Sequence, residues 1–249
     1  MTCCLEMGAI VWDRETAEVY DATYAYESVQ SVVEPILELL LEFAGRGPVL
    51  EFAVGTGRIA LPLSARGVAV SGIELSPHMV EQLQKKPRSE AITVVVGDMA
   101  KERLEGRFEL VYVVANSLMN LTTQEEQLAV FLNAAAHLGA GGHFAVELIV
   151  PQLRRVPPSE NGWIFKMESG HVGIETYDDV ANQVAWSHHW KVIDGHFVHH
   201  SAPYRYIWPS ELVLMGKLAG MDLEHRWGGW DRSPFTSDSE KQVAIFTKS

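Results

Sequence analysis

The stretch Val49–Gly67, VLEFAVGTGRIALPLSARG, decides the fold. A short apolar run, Val49, Leu50 and Phe52, reaches the glycine-rich turn Gly55-Thr56-Gly57. A helical pattern follows at once through Ile59, Ala60 and Leu63. Strand, tight turn and helix succeed one another without a linker. Glycine tolerates positive φ and has no Cβ, so such a turn lets a ligand come close to the backbone. The helix behind it directs free N–H groups toward that ligand. The unit therefore predicts a nucleotide-type cofactor site.

Working outward, strands alternate with helices. The pattern predicts strands at Val49–Ala53, Val68–Leu75, Ile92–Val96, Phe108–Ala115 and His143–Val150. Ser76-Pro77 places a capping serine before a proline at the first helical position. Thr122-Thr123-Gln124-Glu125 reads as a capping box opening a helix through Leu138, closed by Gly139 and Gly141-Gly142. Upstream, Thr16–Ala44 reads as helical, ended by Gly45. This rhythm implies a parallel sheet with helices on both faces. It breaks at Pro151. From Trp163 to Trp208 the pattern is strand-like, and Asp194-Gly195 is a two-residue hairpin signal. That turn sets Ile193 against His196, Trp190 against His199 and His189 against His200. Trp186, His188, Trp190, Phe197 and His199 then share one face, which needs the main domain or a partner to cover it. A helix over Pro209–Ala219 precedes two last strands, Leu223–Trp230 and Gln242–Thr247.

The 249 residues suit one α/β domain with an inserted lobe. A net charge of -12 argues against a phosphate-backbone partner, which requires a basic footprint. The densest basic run, Lys85-Lys86-Pro87-Arg88, reads as a solvated helix end. No apolar span is long enough for a membrane helix. The two cysteines, Cys3 and Cys4, are adjacent and poorly placed to bridge each other. With no signal-peptide pattern at the N-terminus, the expected setting is reducing and cytoplasmic.

The turn Gly55-Thr56-Gly57-Arg58-Ile59-Ala60 matches GxGxxA, and Glu74 ends the next strand. Alone, these also fit a nicotinamide-dependent dinucleotide unit. Three features favour another ligand. Glu51 lies inside the first strand, where a carboxylate suits a cationic ligand better than a pyrophosphate. Asp98 ends the third strand in Val96-Gly97-Asp98-Met99, where it can accept from an adenine amino group. The C-terminus reads strand, loop, strand, as an antiparallel hairpin finishing the sheet. No Tyr-x-x-x-Lys pair follows the fifth strand.

Together, Glu51–Gly57, Ile73-Glu74-Leu75-Ser76, Gly97-Asp98-Met99 and the fourth strand with Asn116-Ser117 resemble the class I S-adenosylmethionine-dependent methyltransferases. The resemblance covers residues 20–248 and is least specific in the insertion. It implies a Rossmann-like, seven-stranded doubly wound α/β sheet with a C-terminal antiparallel hairpin and an inserted antiparallel β cap. It divides the chain into an N-terminal helical lid (1–45), a cofactor-binding core (46–150), a β-rich substrate cap (151–208) and a C-terminal helix and hairpin (209–249). The implied cofactor is S-adenosyl-L-methionine. Ala53, Gly55, Thr56, Gly57 and Arg58 would line its methionine part, with Glu51 behind them. Glu74 would bind the ribose, and Leu75, Met79, Gly97, Asp98 and Met99 the adenine. Ala115, Asn116 and Ser117 would end beside the sulfonium, under a lid carrying Tyr20 and Tyr24. Val54 departs from the small or cysteine residue commoner in the motif. No Asn-Pro-Pro-aromatic sequence follows the fourth strand, which points away from nucleic-acid and protein-amide N-methylation.

The expected reaction is methyl transfer to an oxygen or nitrogen of a small organic molecule. Glu147, His188, His199 and Tyr20 are the candidate general bases, histidine being the commonest residue in that role. Met119, Tyr204, Tyr206, Trp230 and Arg232 are the candidate acceptor contacts under an aromatic roof. A His189–His200 metal pair offers too few ligands for a typical site, so no metal is expected. A homodimer through the cap would cover its aromatic face. A non-catalytic protein holding S-adenosylmethionine would read the same at the glycine turn.

Overall fold

The structure is a computed structural model that describes residues 12–23, 29–193 and 195–249. Cys3, Cys4, Tyr24 and Asp194 lie outside the described residues. Two helices, α1 (Arg14–Thr23) and α2 (Gln30–Ala44), precede the sheet. The core then runs β1 (Val49–Phe52), α3 (Ala60–Ser64), β2 (Val70–Glu74), α4 (Pro77–Gln84), β3 (Ile92–Val96) and β4 (Phe108–Val113). A 3₁₀ turn over Ser117–Asn120 leads to α5 (Gln124–His137) and β5 (Leu138–Ile149). The insertion holds β6 (Gly162–Glu168), β7 (His171–Asp179), β8 (Val184–Ile193) and β9 (His196–Arg205). The chain closes with α6 (Pro209–Leu218), β10 (Met221–Trp227) and β11 (Lys241–Lys248).

The sheet has seven strands in the order β3-β2-β1-β4-β5-β11-β10. The first five are parallel, and β11 runs antiparallel to both β5 and β10. Strand β10 therefore points the same way as β5, and the loop after it reaches the same edge. Chain order reverses between β1 and β4, where open α/β sheets open a crevice for ligand beyond the strand ends. One face packs on α2, α3 and α4 through Leu37, Leu40, Ile59, Leu63 and Leu83. The other packs on α5 and α6 through Val130, Phe131, Leu212 and Met215. Alternation decides which side each residue serves: Leu50 and Phe52 enter the second cluster, while Tyr112 enters the first.

Several boundaries differ from the sequence reading: β2 spans Val70–Glu74 rather than Val68–Leu75, and β10 spans Met221–Trp227 rather than Leu223–Trp230. The capping box uses Thr123 and Glu126, one residue beyond the expected Thr122 and Glu125. Strand β5 begins at Leu138, five residues before the expected His143, because α5 passes into it with no intervening loop. The glycines read as a helix stop lie inside that strand, at a register shift against β4.

The insertion is a separate four-stranded antiparallel sheet, β6-β7-β8-β9. Its hairpin pairs Ile193 with His196, Trp190 with His199 and His189 with His200, the expected register. Trp163, Tyr177, Ala185 and Tyr204 turn toward the core and join its second cluster. Trp186, His188, Trp190 and His199 form a stacked ladder on the opposite face. Trp186, His188 and Trp190 of the ladder are half-buried, while His199 and the neighbouring Phe197, 72% exposed, are open to solvent. Among the described residues, no helix is long and apolar enough to cross a membrane.

Candidate active site

The glycine turn takes the shape its sequence demands. Gly55 and Gly57 have φ of 57° and 80°, the left-handed region where a side chain is strained. Three non-glycine residues share that region at adjoining strand ends: Ala53 after β1, and Ala115 and Asn116 after β4. Such conformations cost of order 1–3 kcal/mol each and cluster where backbone geometry serves a site. Both strand ends flanking the crevice are thus bent away from regular structure.

Neighbouring side chains hold these bends. Glu74, at the end of β2, accepts the Gly55 N–H at 2.8 Å and the Ser76 N–H at 2.9 Å, one on each carboxylate oxygen. Burial nonetheless raises its pKa. Glu147 of β5 accepts the Ala115 N–H at 2.9 Å, and Asn116 Oδ1 accepts the Ile149 N–H at 2.7 Å. Asp98 accepts the Ala100 N–H at 2.9 Å and pairs with Lys101 at 2.8 Å, shaping the turn after β3. Leu75, beside Glu74, leaves its apolar side chain 62% exposed, while Met79 below it is buried. Met99 is half-buried against the core.

Helix α1 is tied to this edge. Asp21 accepts the Thr56 hydroxyl at 2.6 Å and pairs with Lys86 at 2.6 Å, and Lys86 also donates to the Thr56 carbonyl at 2.8 Å. Ser76 donates to the Trp12 carbonyl at 2.5 Å, and Trp12 meets Tyr20 edge-on at 5.5 Å. Lys86 is therefore an anchor for the helix above the turn rather than part of a solvated end.

Glu51 stands behind the turn. It is 2% exposed and accepts the Tyr112 hydroxyl at 2.9 Å. Burial pushes its pKa up to about 8, against smaller lowering effects from Tyr112 and Arg58. At neutral pH it is mostly uncharged. Below pH 4.5 the folded and unfolded chains both hold this proton, so stability is unaffected there. As pH rises toward about 8 the unfolded chain releases the proton while the fold retains it, and stability falls. The melting temperature of the cofactor-free protein is expected to drop from pH 5 to pH 8. Glu51→Gln, which keeps an acceptor for Tyr112, is expected to flatten that drop in pH-resolved calorimetry. An equal drop in the variant would assign the dependence to other groups.

The remaining candidates separate. Met119, Tyr204 and Tyr206 meet in the cluster beneath the cap. Trp230 packs in the other cluster, on the α2 side of the sheet. Arg232 pairs with Glu42 of α2 and lies over the Trp227 ring at 5.6 Å. His188 and His199 share the Ser201 hydroxyl on the outer face of the cap. The structure does not bring these two histidines, Trp230 or Arg232 to the cap's core-facing side. Among the described residues, no cluster of His, Cys, Asp or Glu could hold a metal ion.

One group on the core-facing side was missed in the sequence. Glu175 of β7, 8% exposed, accepts the Trp163 indole N–H at 2.9 Å and the Tyr177 hydroxyl at 2.6 Å, and also the Tyr204 hydroxyl. An acid in a strand of mixed composition that also carries Asp178 and Asp179 gives no local signal. Only the register that sets Trp163 opposite it shows the pairing.

Comparison with known proteins agrees with this geometry. A family model described as a methyltransferase domain matches residues 49–142, from β1 into β5. The chain is 30% identical to the CcbJ methyltransferase of Streptomyces caelestis, covering 86% of this chain and 88% of that one with a TM-score of 0.78. It is 23% identical to a cypemycin N-terminal methyltransferase of Streptomyces, over 92% of this chain and 98% of the relative. The fold also matches CalS10, an amino pentose methyltransferase from Micromonospora echinaspora, at 19% identity and a TM-score of 0.71, covering 93% of this chain and 97% of that one. The chain belongs to the class I S-adenosylmethionine-dependent methyltransferases.

Proposed function

We propose that the enzyme methylates a nitrogen or oxygen of a small organic molecule held between the carboxyl edge of the sheet and the β cap. The observation that carries this reading is the convergence of five features on one crevice. They are the two left-handed glycines, Glu74, Asp98, the exposed Leu75 and the bent ends of β1 and β4. The crevice fits an adenosine: Leu75 offers an apolar wall and Asp98 an acceptor at its rim. Both oxygens of Glu74 retain a lone pair beyond the one each backbone N–H occupies. Ribose hydroxyls would bind Glu74, and the methionine part would lie over Gly55–Gly57.

S-adenosylmethionine supplies an activated methyl group on a sulfonium. The protein's own work is then alignment and exclusion of water. Gly55 and Gly57 permit close approach. Glu74 holds the turn while presenting its free lone pairs. Ala115–Ser117 shape the end of β4, with Glu147 and Asn116 fixing that bend from β5. Helix α1, anchored by Asp21 and Lys86, closes one side with Tyr20. In this reading Glu147 braces the backbone rather than acting as a general base. Met119, Tyr204 and Tyr206 bound the acceptor space, and the cap over residues 151–208 roofs it.

A nitrogen acceptor has further support in the relative named as an N-terminal methyltransferase. The test is formation of S-adenosylhomocysteine when the enzyme and S-adenosylmethionine meet matched amine- and hydroxyl-bearing small molecules. Turnover with amines supports the nitrogen reading. Binding of S-adenosylhomocysteine with no turnover on any acceptor would favour a non-catalytic binding protein.

A further inference from the structure

The cap buries a carboxyl group that no cation pairs with among the described residues. Every hydrogen bond that Glu175 receives comes from a neutral donor: Trp163, Tyr177 and Tyr204. The two tyrosines stay neutral, because burial and the adjoining carboxylate raise their pKa values. Among the described residues no cation pairs with Glu175. Those nearby in sequence are engaged elsewhere: Lys166 with Glu168, Arg155 with Glu240 and Arg205 with Glu211. A buried carboxylate is costly unless it is paired, and neutral donors offset that cost without neutralising the charge. Oε2 accepts two bonds but Oε1 only one, so Oε1 can take another donor. Aromatic rings surround the carboxylate, and the Trp163 face already attracts the Arg155 guanidinium, at 5.2 Å.

The position is as informative as the chemistry. Glu175 lies on the face of the cap that joins the core, opposite the stacked ladder. Tyr204 adjoins Arg205, whose carbonyl accepts from Gln127 at 3.0 Å. The same Gln127 amide binds the Leu121 carbonyl at 2.9 Å, just past the turn that follows β4.

We propose that Glu175, framed by Trp163 and Tyr204, is a specificity site that holds an ammonium group of the acceptor other than the atom that receives the methyl, since a protonated nitrogen has no lone pair to attack the sulfonium. The proposal rests on the reading that the acceptor lies under the cap. It names the charge class of that acceptor and the residue that selects it.

The test uses two probes of one shape, cyclohexylammonium chloride and cyclohexanol. Each is titrated at pH 7 into protein loaded with S-adenosylhomocysteine and followed by saturation-transfer NMR. The ammonium is expected to bind at least about tenfold tighter than the alcohol. Glu175→Gln, which removes charge and keeps size, is expected to abolish that preference with S-adenosylhomocysteine affinity unchanged. Tyr204→Phe keeps the charge and is expected to keep the preference. Equal binding of the two probes by the wild type, binding of neither, or a preference that survives Glu175→Gln overturns the proposal. The wild-type comparison requires no variant to fold. Failure here leaves S-adenosylhomocysteine binding and turnover intact, whereas failure of the methyl-transfer reading appears in turnover alone.

Discussion

Replacing Glu74 with alanine is expected to lower affinity for S-adenosylhomocysteine by about a hundredfold or more, since two charge-assisted hydrogen bonds at roughly 1.5–3 kcal/mol each are lost. Glutamine at this position is expected to do nearly as much damage. One carboxylate oxygen accepts Gly55 N–H and the other accepts Ser76 N–H. An amide offers one acceptor oxygen and one donor nitrogen, so it must set N–H against N–H at one of the two. Aspartate is a methylene shorter and cannot keep both contacts. Glu74 is thus both a ligand contact in our reading and the brace of the glycine turn, and only glutamate fits both tasks. Calorimetric titration of the three variants checks this. Affinities within tenfold of wild type for alanine and glutamine would place the ribose elsewhere.

Replacing Arg205 with methionine is expected to destabilise the protein by about 3–5 kcal/mol, the usual cost of stranding one partner of a buried ion pair. Arg205 is 4% exposed and donates to Glu211 at 2.7 Å, to Gln127 at 2.6 Å and to the Asn182 carbonyl at 3.1 Å. Its loss leaves the Glu211 charge, the Gln127 oxygen and that carbonyl short of a partner together. Glu211 is held below its usual pKa by Gln183, Arg205 and Gln124 against the effect of burial. The network joins α5, α6, the base of the cap and the turn after β4. Its failure is therefore expected to depress acceptor turnover more than S-adenosylhomocysteine affinity. A double variant, Arg205→Met with Glu211→Leu, removes both charges and is expected to recover much of the stability. Denaturant midpoints at constant slope measure both. A loss below about 1 kcal/mol for the single variant would mean that water reaches Glu211.

These two residues mark the boundary of what local sequence reveals. Glu74 was legible because it ends the short strand that follows the glycine turn and its helix in the next βα unit. The turn's requirement for positive φ leaves few residue choices, and the strand's length fixes where the acid falls. Arg205 was not legible. It closes a strand whose partners, Gln127 and Glu211, lie in separate helices; Gln127 is 78 residues away, and the acid six residues on gives no sign that it turns back onto the strand. The cap hairpin shows the same division. Its turn set the register correctly, because a two-residue loop leaves no freedom in pairing. Which face turns inward was open, since histidine and aromatic residues occupy both. The face with the denser aromatic ladder turned away from the core, and the one carrying Glu175, Tyr177 and Tyr204 met it. The capping box slipped by one residue for a local reason. Thr122-Thr123 and Glu125-Glu126 supply the motif in two registers, and only the extended backbone of Thr123 selects between them.

The central claim is that S-adenosylmethionine lies on the carboxyl edge of the sheet, between the glycine turn and the cap. A crystal structure with S-adenosylhomocysteine tests it most directly. The account predicts ribose hydroxyls on Glu74, the adenine between Leu75 and Asp98, and the sulfur facing Ala115–Ser117 beneath the cap. A ligand bound with its ribose away from Glu74, or with its sulfur turned from the cap, would contradict it.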